Sequence, residues 1–173
     1  MNNFALEIWD DESSRVTFYT VRQENAEFTE MEKFIQKFEE HPRLGQQLEE
    51  IIALLLDVMG ERRGALPDYF NRAERAATAL PPRPGTAIEI GFNNLHFPLR
   101  LFCLRLSDEI VVLFNGGEKT SERTQDSPDL SVKINEADSF ASRILDELGL
   151  SIEINETMRY IIDNDGSINN ITL

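Results

Sequence analysis

The sequence predicts an α+β fold: a mainly antiparallel sheet, two helices from the N-terminal half packed on it, and a C-terminal helix. Three observations carry this. Two short apolar runs, Leu99–Leu106 and Ile110–Phe114, flank the polar Ser107-Asp108-Glu109, the pattern of an antiparallel hairpin of buried strands. Phe28, Met31, Ile35 and Phe38, then Leu44, Leu48, Ile51, Ile52, Leu55 and Met59, recur at helical spacing. A chain of 173 residues, 41% hydrophobic and 28% charged, has the composition and length of one globular domain with a sizeable core.

The elements follow in order. Phe4–Trp9 and Val16–Val21 are β-prone and flank the polar Asp10–Arg15, which predicts an N-terminal hairpin. Thr29-Glu30-Met31-Glu32 has capping-box spacing and opens the first helix, and His41-Pro42 stops it. The second helix reaches Gly60. Asp68–Leu80 has helical character, and Pro81-Pro82-Arg83-Pro84-Gly85 breaks any regular element. Ile88, Ile90 and Phe92 alternate with Glu89 and Gly91, which predicts a strand, and 93–98 a loop. After the central hairpin, Asn115-Gly116-Gly117 predicts a sharp turn. Asn135 is placed to cap a final helix whose Ala137, Phe140, Ala141, Ile144 and Leu148 share a face, closed by Gly149. The tail, 150–173, predicts a β-hairpin packed on the same domain, with Arg159–Ile162 and Ile168–Ile171 flanking Asp165-Gly166. Asp163-x-Asp165-Gly166 lacks the spacing of a calcium loop.

Net charge is −14, which argues against non-specific nucleic-acid binding. The charge is uneven: residues 1–40 and 134–173 are each net −6, whereas 41–80 and 81–133 are each net −1. A local cationic groove is compatible with the middle of the chain. The single cysteine, Cys103, lies in an apolar run and reads as a small buried hydrophobe. No basic region followed by an apolar core opens the chain and no apolar run is long enough to span a bilayer, so the expectation is a cytoplasmic protein without a membrane partner.

With these elements in place, the chain resembles the RelE/HigB-like toxins of toxin–antitoxin systems. Asn25-Ala26-Glu27-Phe28 precedes the first helix as an acidic-aromatic pair does in that family. Leu99-Arg100-Leu101-Phe102 is similar to the family's arginine-bearing strand, and Val111–Phe114 followed by Glu118-Lys119-Thr120 and Pro128 is similar to its C-terminal ending. The resemblance covers about 2–148. It implies a RelE-like domain at 1–149, a C-terminal extension at 150–173, cleavage of messenger RNA, often in the ribosome, and restraint by an antitoxin protein. It also implies that Arg100 contacts the scissile phosphate and that Lys119 is the second cation of a lysine pair. Three features depart from the family: Glu118 replaces the first lysine of that pair, Glu89 occupies a position that is often basic, and the chain is acidic.

Metal-independent RNA cleavage needs a base, cations for the developing phosphorane charge, and an acid for the leaving oxygen. Arg100, Lys119 and Arg123 are the candidate cations, His96 the candidate base or acid, and Asn115, with the glycines after it, a candidate contact to substrate. The commoner reading of a lone loop histidine is a surface residue, and Arg100 could equally pack as a structural arginine. Arg105 lies an odd number of residues from Arg100 and so faces the other side of the sheet. No motif for a cofactor or metal stands out. Two function classes follow: a toxin-like endoribonuclease, and a catalytically inactive protein-binding module on the same fold. A gyrase-directed toxin of the ParE kind is a weaker third.

Overall fold

The computed structural model describes residues 2–70, 75–92, 97–122 and 126–173. β1 (Phe4–Asp10) and β2 (Thr17–Gln23) form the expected antiparallel pair. α1 (Glu30–Phe38) opens on a complete capping box: Thr29 Oγ1 accepts from the Glu32 N–H at 3.2 Å, and Glu32 Oε2 accepts from the Thr29 N–H at 2.7 Å. α2 (Gly45–Ala53) continues without interruption into a π-helical segment, Leu54–Arg63, which carries the helix past Gly60.

From there the structure corrects several expectations. Asp68–Leu80 is not a helix over its described residues. Pro67–Tyr69 forms one 3₁₀ turn and Thr78–Leu80 is a short strand, β3, antiparallel to the central hairpin. Its approach is fixed by Asp138, whose Oδ1 accepts from the N–H groups of Ala76 at 2.8 Å and Ala77 at 3.3 Å. The predicted strand through Ile88, Ile90 and Phe92 is instead a helix, α3 (Pro84–Glu89). Proline at the first turn and Gly91 at φ +81° mark its two ends, and the Phe92 N–H closes it on Ala87 O at 2.7 Å. Those end signals outweigh alternation over five residues, and Glu89 therefore lies on a helix.

The central hairpin is β4 (Leu99–Arg105) and β5 (Ile110–Glu118). Asn115-Gly116-Gly117 does not turn the chain; β5 passes straight through it. α4 (Pro128–Glu147) begins seven residues before the expected cap, with Pro128 in its first turn. Asn135 is inside that helix and accepts from Arg75 Nη1 at 2.8 Å.

The tail also rearranges. β6 (Ile152–Asn155) pairs with β7 (Tyr160–Asp163), while β8 (Ile171–Thr172) joins the main sheet beside β1. The hydroxyl of Tyr19 explains why the two flanks of Asp165-Gly166 do not pair. It accepts from the Ile161 N–H at 3.0 Å and donates to Ile168 O at 2.8 Å, standing between them.

The main sheet has the order β3-β4-β5-β2-β1-β8, antiparallel throughout except for the parallel β2–β5 pair. Alternation sends the side chains of β2, β4 and β5 to two cores. On one face Phe18, Leu101, Cys103, Val111 and Leu113 pack on Met31, Phe34 and Phe38 of α1, on α2 and on the π-helical segment. On the other, Tyr19, Phe102, Leu104, Val112 and Phe114 pack on α4 and on Ile152, Ile161 and Ile171 of the tail. Phe114 stacks on Phe140 of α4 with centroids 5.8 Å apart. Each fully buried side chain of this size contributes about 1.5–3 kcal/mol, so both layers hold the sheet. No described helix is long and apolar enough to cross a membrane.

Candidate functional site

Arg100, Asn115 and Lys119 lie toward the far end of the β4–β5 hairpin, and a bulge sets how their strands run there. Cys103 pairs with Leu113 and Leu101 with Gly116, so Phe114 and Asn115 together stand opposite Phe102. One extra residue on one strand reverses the alternation beyond it. Before the bulge, Val111 and Leu113 face α1 and α2. After it, Gly117 faces α4, where an added Cβ would lie 2.6 Å from Asp129 Oδ2, and Glu118 faces the α1–α2 side, where Arg43 Nη1 reaches it at 3.3 Å. The bulge requires glycine: a Cβ on Gly116 would stand 1.8 Å from the Arg100 carbonyl oxygen.

Arg100 pairs with Gly117 and is half-buried. Burial lowers its guanidinium below the ordinary arginine value, and an arginine so shifted remains a cation. Nη1 donates to the carbonyls of Phe97 and of Leu99, the latter at 3.0 Å. Nε and Nη2 have no partner among the described residues, and no described carboxylate pairs with the group. The Lys119 N–H donates to Pro98 O at 2.7 Å, so the Pro98 and Arg100 carbonyls point toward β5, and those of Phe97 and Leu99 toward the other side of β4. There β3 has already ended, at Leu80 opposite Leu101. The guanidinium thus lies at the outer edge of β4, where Gln47 Oε1 of α2 accepts from the Leu99 N–H at 3.3 Å, while Lys119 follows just past the end of β5, two residues beyond Gly117 and so in the phase of Arg100's face. Its amine has no partner among the described residues.

The remaining predicted site residues fall elsewhere. Asn115 is 6% exposed and turned inward: its Nδ2 donates to Glu30 Oε2 at 3.3 Å and its Oδ1 accepts from the Gly116 N–H at 2.8 Å, so it is not offered to a ligand. His96 and Arg123 lie outside the described residues. Arg105, as expected, faces the opposite side from Arg100, and its Nε donates to Ala65 O at 2.7 Å.

Two features at this end escaped sequence reasoning. One is Glu30, hidden because the capping pattern accounts for Thr29 and Glu32 and leaves Glu30 looking like a solvated first-turn acid. The other is the Lys37–Asp129 pair at 2.5 Å, which joins α1 to α4 where β5 has parted from β2. No local spacing signals a pair separated by so much chain. Among the described residues no cluster of His, Cys, Asp and Glu is placed to hold a metal ion. Comparison of the chain with protein-family models, with curated proteins and with solved structures returned no match.

Proposed function

We propose that this chain is an RNA-acting protein of the RelE/HigB-like toxin kind, in which Arg100 and Lys119 receive a backbone phosphate. The observation that carries this reading is the half-buried Arg100 guanidinium, held in place by two carbonyls yet with Nε and Nη2 unpartnered among the described residues. A cation desolvated without an acid beside it is a strong receptor for an anion, because the field that opposes its burial favours the incoming charge. In such a reaction the two cations stabilise the charge of the pentacoordinate phosphorus, and His96 and Arg123 are the proposed proton-transfer and substrate-holding groups. An antitoxin is the proposed partner.

Induced synthesis of the chain alone is expected to arrest growth with cleavage of translated messenger RNA, and Arg100→Ala with Lys119→Ala is expected to relieve the arrest. Unimpeded growth with intact messages removes the proposal. A second reading, a protein-binding module without catalysis, is favoured by the outward turn of Arg100, whose two carbonyl bonds give it an architectural task at the edge of β4. Under that reading the double variant loses stability and changes no RNA-dependent property.

A further inference from the structure

Glu30 is 1% exposed, and α1 does not need it as a cap because Thr29 and Glu32 complete the capping box. Its Oε1 accepts from Gln23 Nε2 at 2.9 Å and from Lys33 Nζ at 2.7 Å, and its Oε2 accepts from Asn115 Nδ2 at 3.3 Å. A carboxylate buried this deeply stays only where its bonds offset the lost hydration. The location explains those bonds. The β2–β5 pairing ends at Thr20 and Leu113, and Thr20 Oγ1 there accepts from the Met31 N–H at 3.1 Å. The first turn of α1 therefore plugs the split between the strands, and from it Glu30 reaches the bulged residue of β5.

We infer that Glu30 is a positioning residue which, through Asn115, holds the β5 bulge and thereby sets the phase in which Lys119 leaves the sheet. In an unbulged β5, Gly117 would face α1 and α2 and Lys119 would follow it, on the face opposite Arg100. With the bulge held, Asn115 Oδ1 fixes the Gly116 N–H and the strand returns in the phase that gives Lys119 the face of Arg100. The functional consequence rests on the RNA-acting reading; the structural one does not.

The test measures amide hydrogen exchange by NMR and binding of a short single-stranded RNA oligonucleotide, on the full chain carrying Glu30→Ala, Glu30→Gln or Asn115→Ala. Phe34→Ala, a core truncation on the same helix, is the control. Loss of a hydrogen bond to a buried charge is expected to raise exchange at the Gly116 and Lys119 amides about tenfold relative to Val112 and Leu104 in Glu30→Ala and Asn115→Ala, and to weaken RNA binding about tenfold. Glu30→Gln keeps an acceptor for Asn115 and is expected to stay near the native chain in both. Exchange that rises evenly along β4 and β5, as in Phe34→Ala, or protection that survives in Glu30→Ala, overturns the inference. If the native chain binds no RNA, the proposed function falls while the exchange pattern still decides what Glu30 does.

Discussion

The two halves of β5 obey different physics. Ile110–Phe114 is apolar, sends side chains into both cores, and has a strand on each side, β4 and β2. Asn115–Glu118 is polar and glycine-rich, has lost β2, and is held by pairing with β4 alone, by Glu30, by the close approach to Arg100 and by the surface ion pair from Arg43. Burial and strand pairing on both sides keep the first half in place, and many substitutions of similar volume would serve it. The second half depends on particular atoms. Such divided strands place a chemically adaptable end on a rigid base, which is the arrangement a binding site needs.

The sharpest way to break the second half is Gly116→Ala. The obstruction is a backbone carbonyl 1.8 Å from the new Cβ, which cannot rotate away, so β4 and β5 must separate locally. The expected loss is about 4 kcal/mol, at the upper end for a single substitution, read from urea unfolding. A loss below about 1 kcal/mol would mean the bulge is not built this way. In the first half, Leu113→Ala empties a site that is fully buried opposite Cys103, and the expected cost is about 3 kcal/mol. Next comes Gly117→Ala, the same change one residue on from the first. Here the closest obstruction is the Asp129 carboxylate, the mobile end of a side chain nearly half exposed, which swings aside and gives up Lys37, while Leu130 Cδ1 at 3.3 Å yields by a few tenths of an ångström. The expected cost is about 0.5–1 kcal/mol, removed further by salt. Comparable losses at 116 and 117 would erase the distinction between backbone and side-chain obstruction.

The same division explains what the sequence reveals. Ile110–Phe114 is legible because burial on both faces leaves an unbroken apolar run, whereas the capped first helix and the apolar face of α4 are legible from burial at helical spacing. Asn115-Gly116-Gly117 reads as a turn because glycine is demanded equally by a positive φ and by a close strand, and only the partner strand tells which. Ile88-Glu89-Ile90-Gly91-Phe92 misleads for a related reason: five alternating residues fit a strand, but proline before them and glycine among them set helix ends. The tail's turn at Asp165-Gly166 is real, Gly166 having φ +84°, yet its flanks part because the Tyr19 hydroxyl, supplied from β2, bonds to both. Of the candidate site, the positions of Arg100 in β4 and of Lys119 just past β5 were legible from the two apolar runs. Glu30 was not, since its task is defined by a strand break about 85 residues further along the chain.

The smallest effect expected at neutral pH belongs to Cys103 of β4, which stands opposite Leu113 of the sealed half. The thiol lies in the core facing α1 and α2, 3.6 Å from Thr78 Oγ1, and burial pushes it well above the usual thiol range, to about 12, with the Thr78 bond opposing the shift. The folded protein therefore holds this proton more tightly than the unfolded chain, where the group titrates near 9. Its contribution to stability is complete below that value and is lost as the pH rises toward about 12. Tyr19 is raised by burial as well and acts in the same direction at still higher pH. At pH 8 the native thiol is expected to resist a disulfide reagent and to react at the rate of global unfolding. Labelling of native Cys103 much faster than unfolding would show that β4, between β3 and the first half of β5, opens locally, and the contrast between the two halves would then be one of degree.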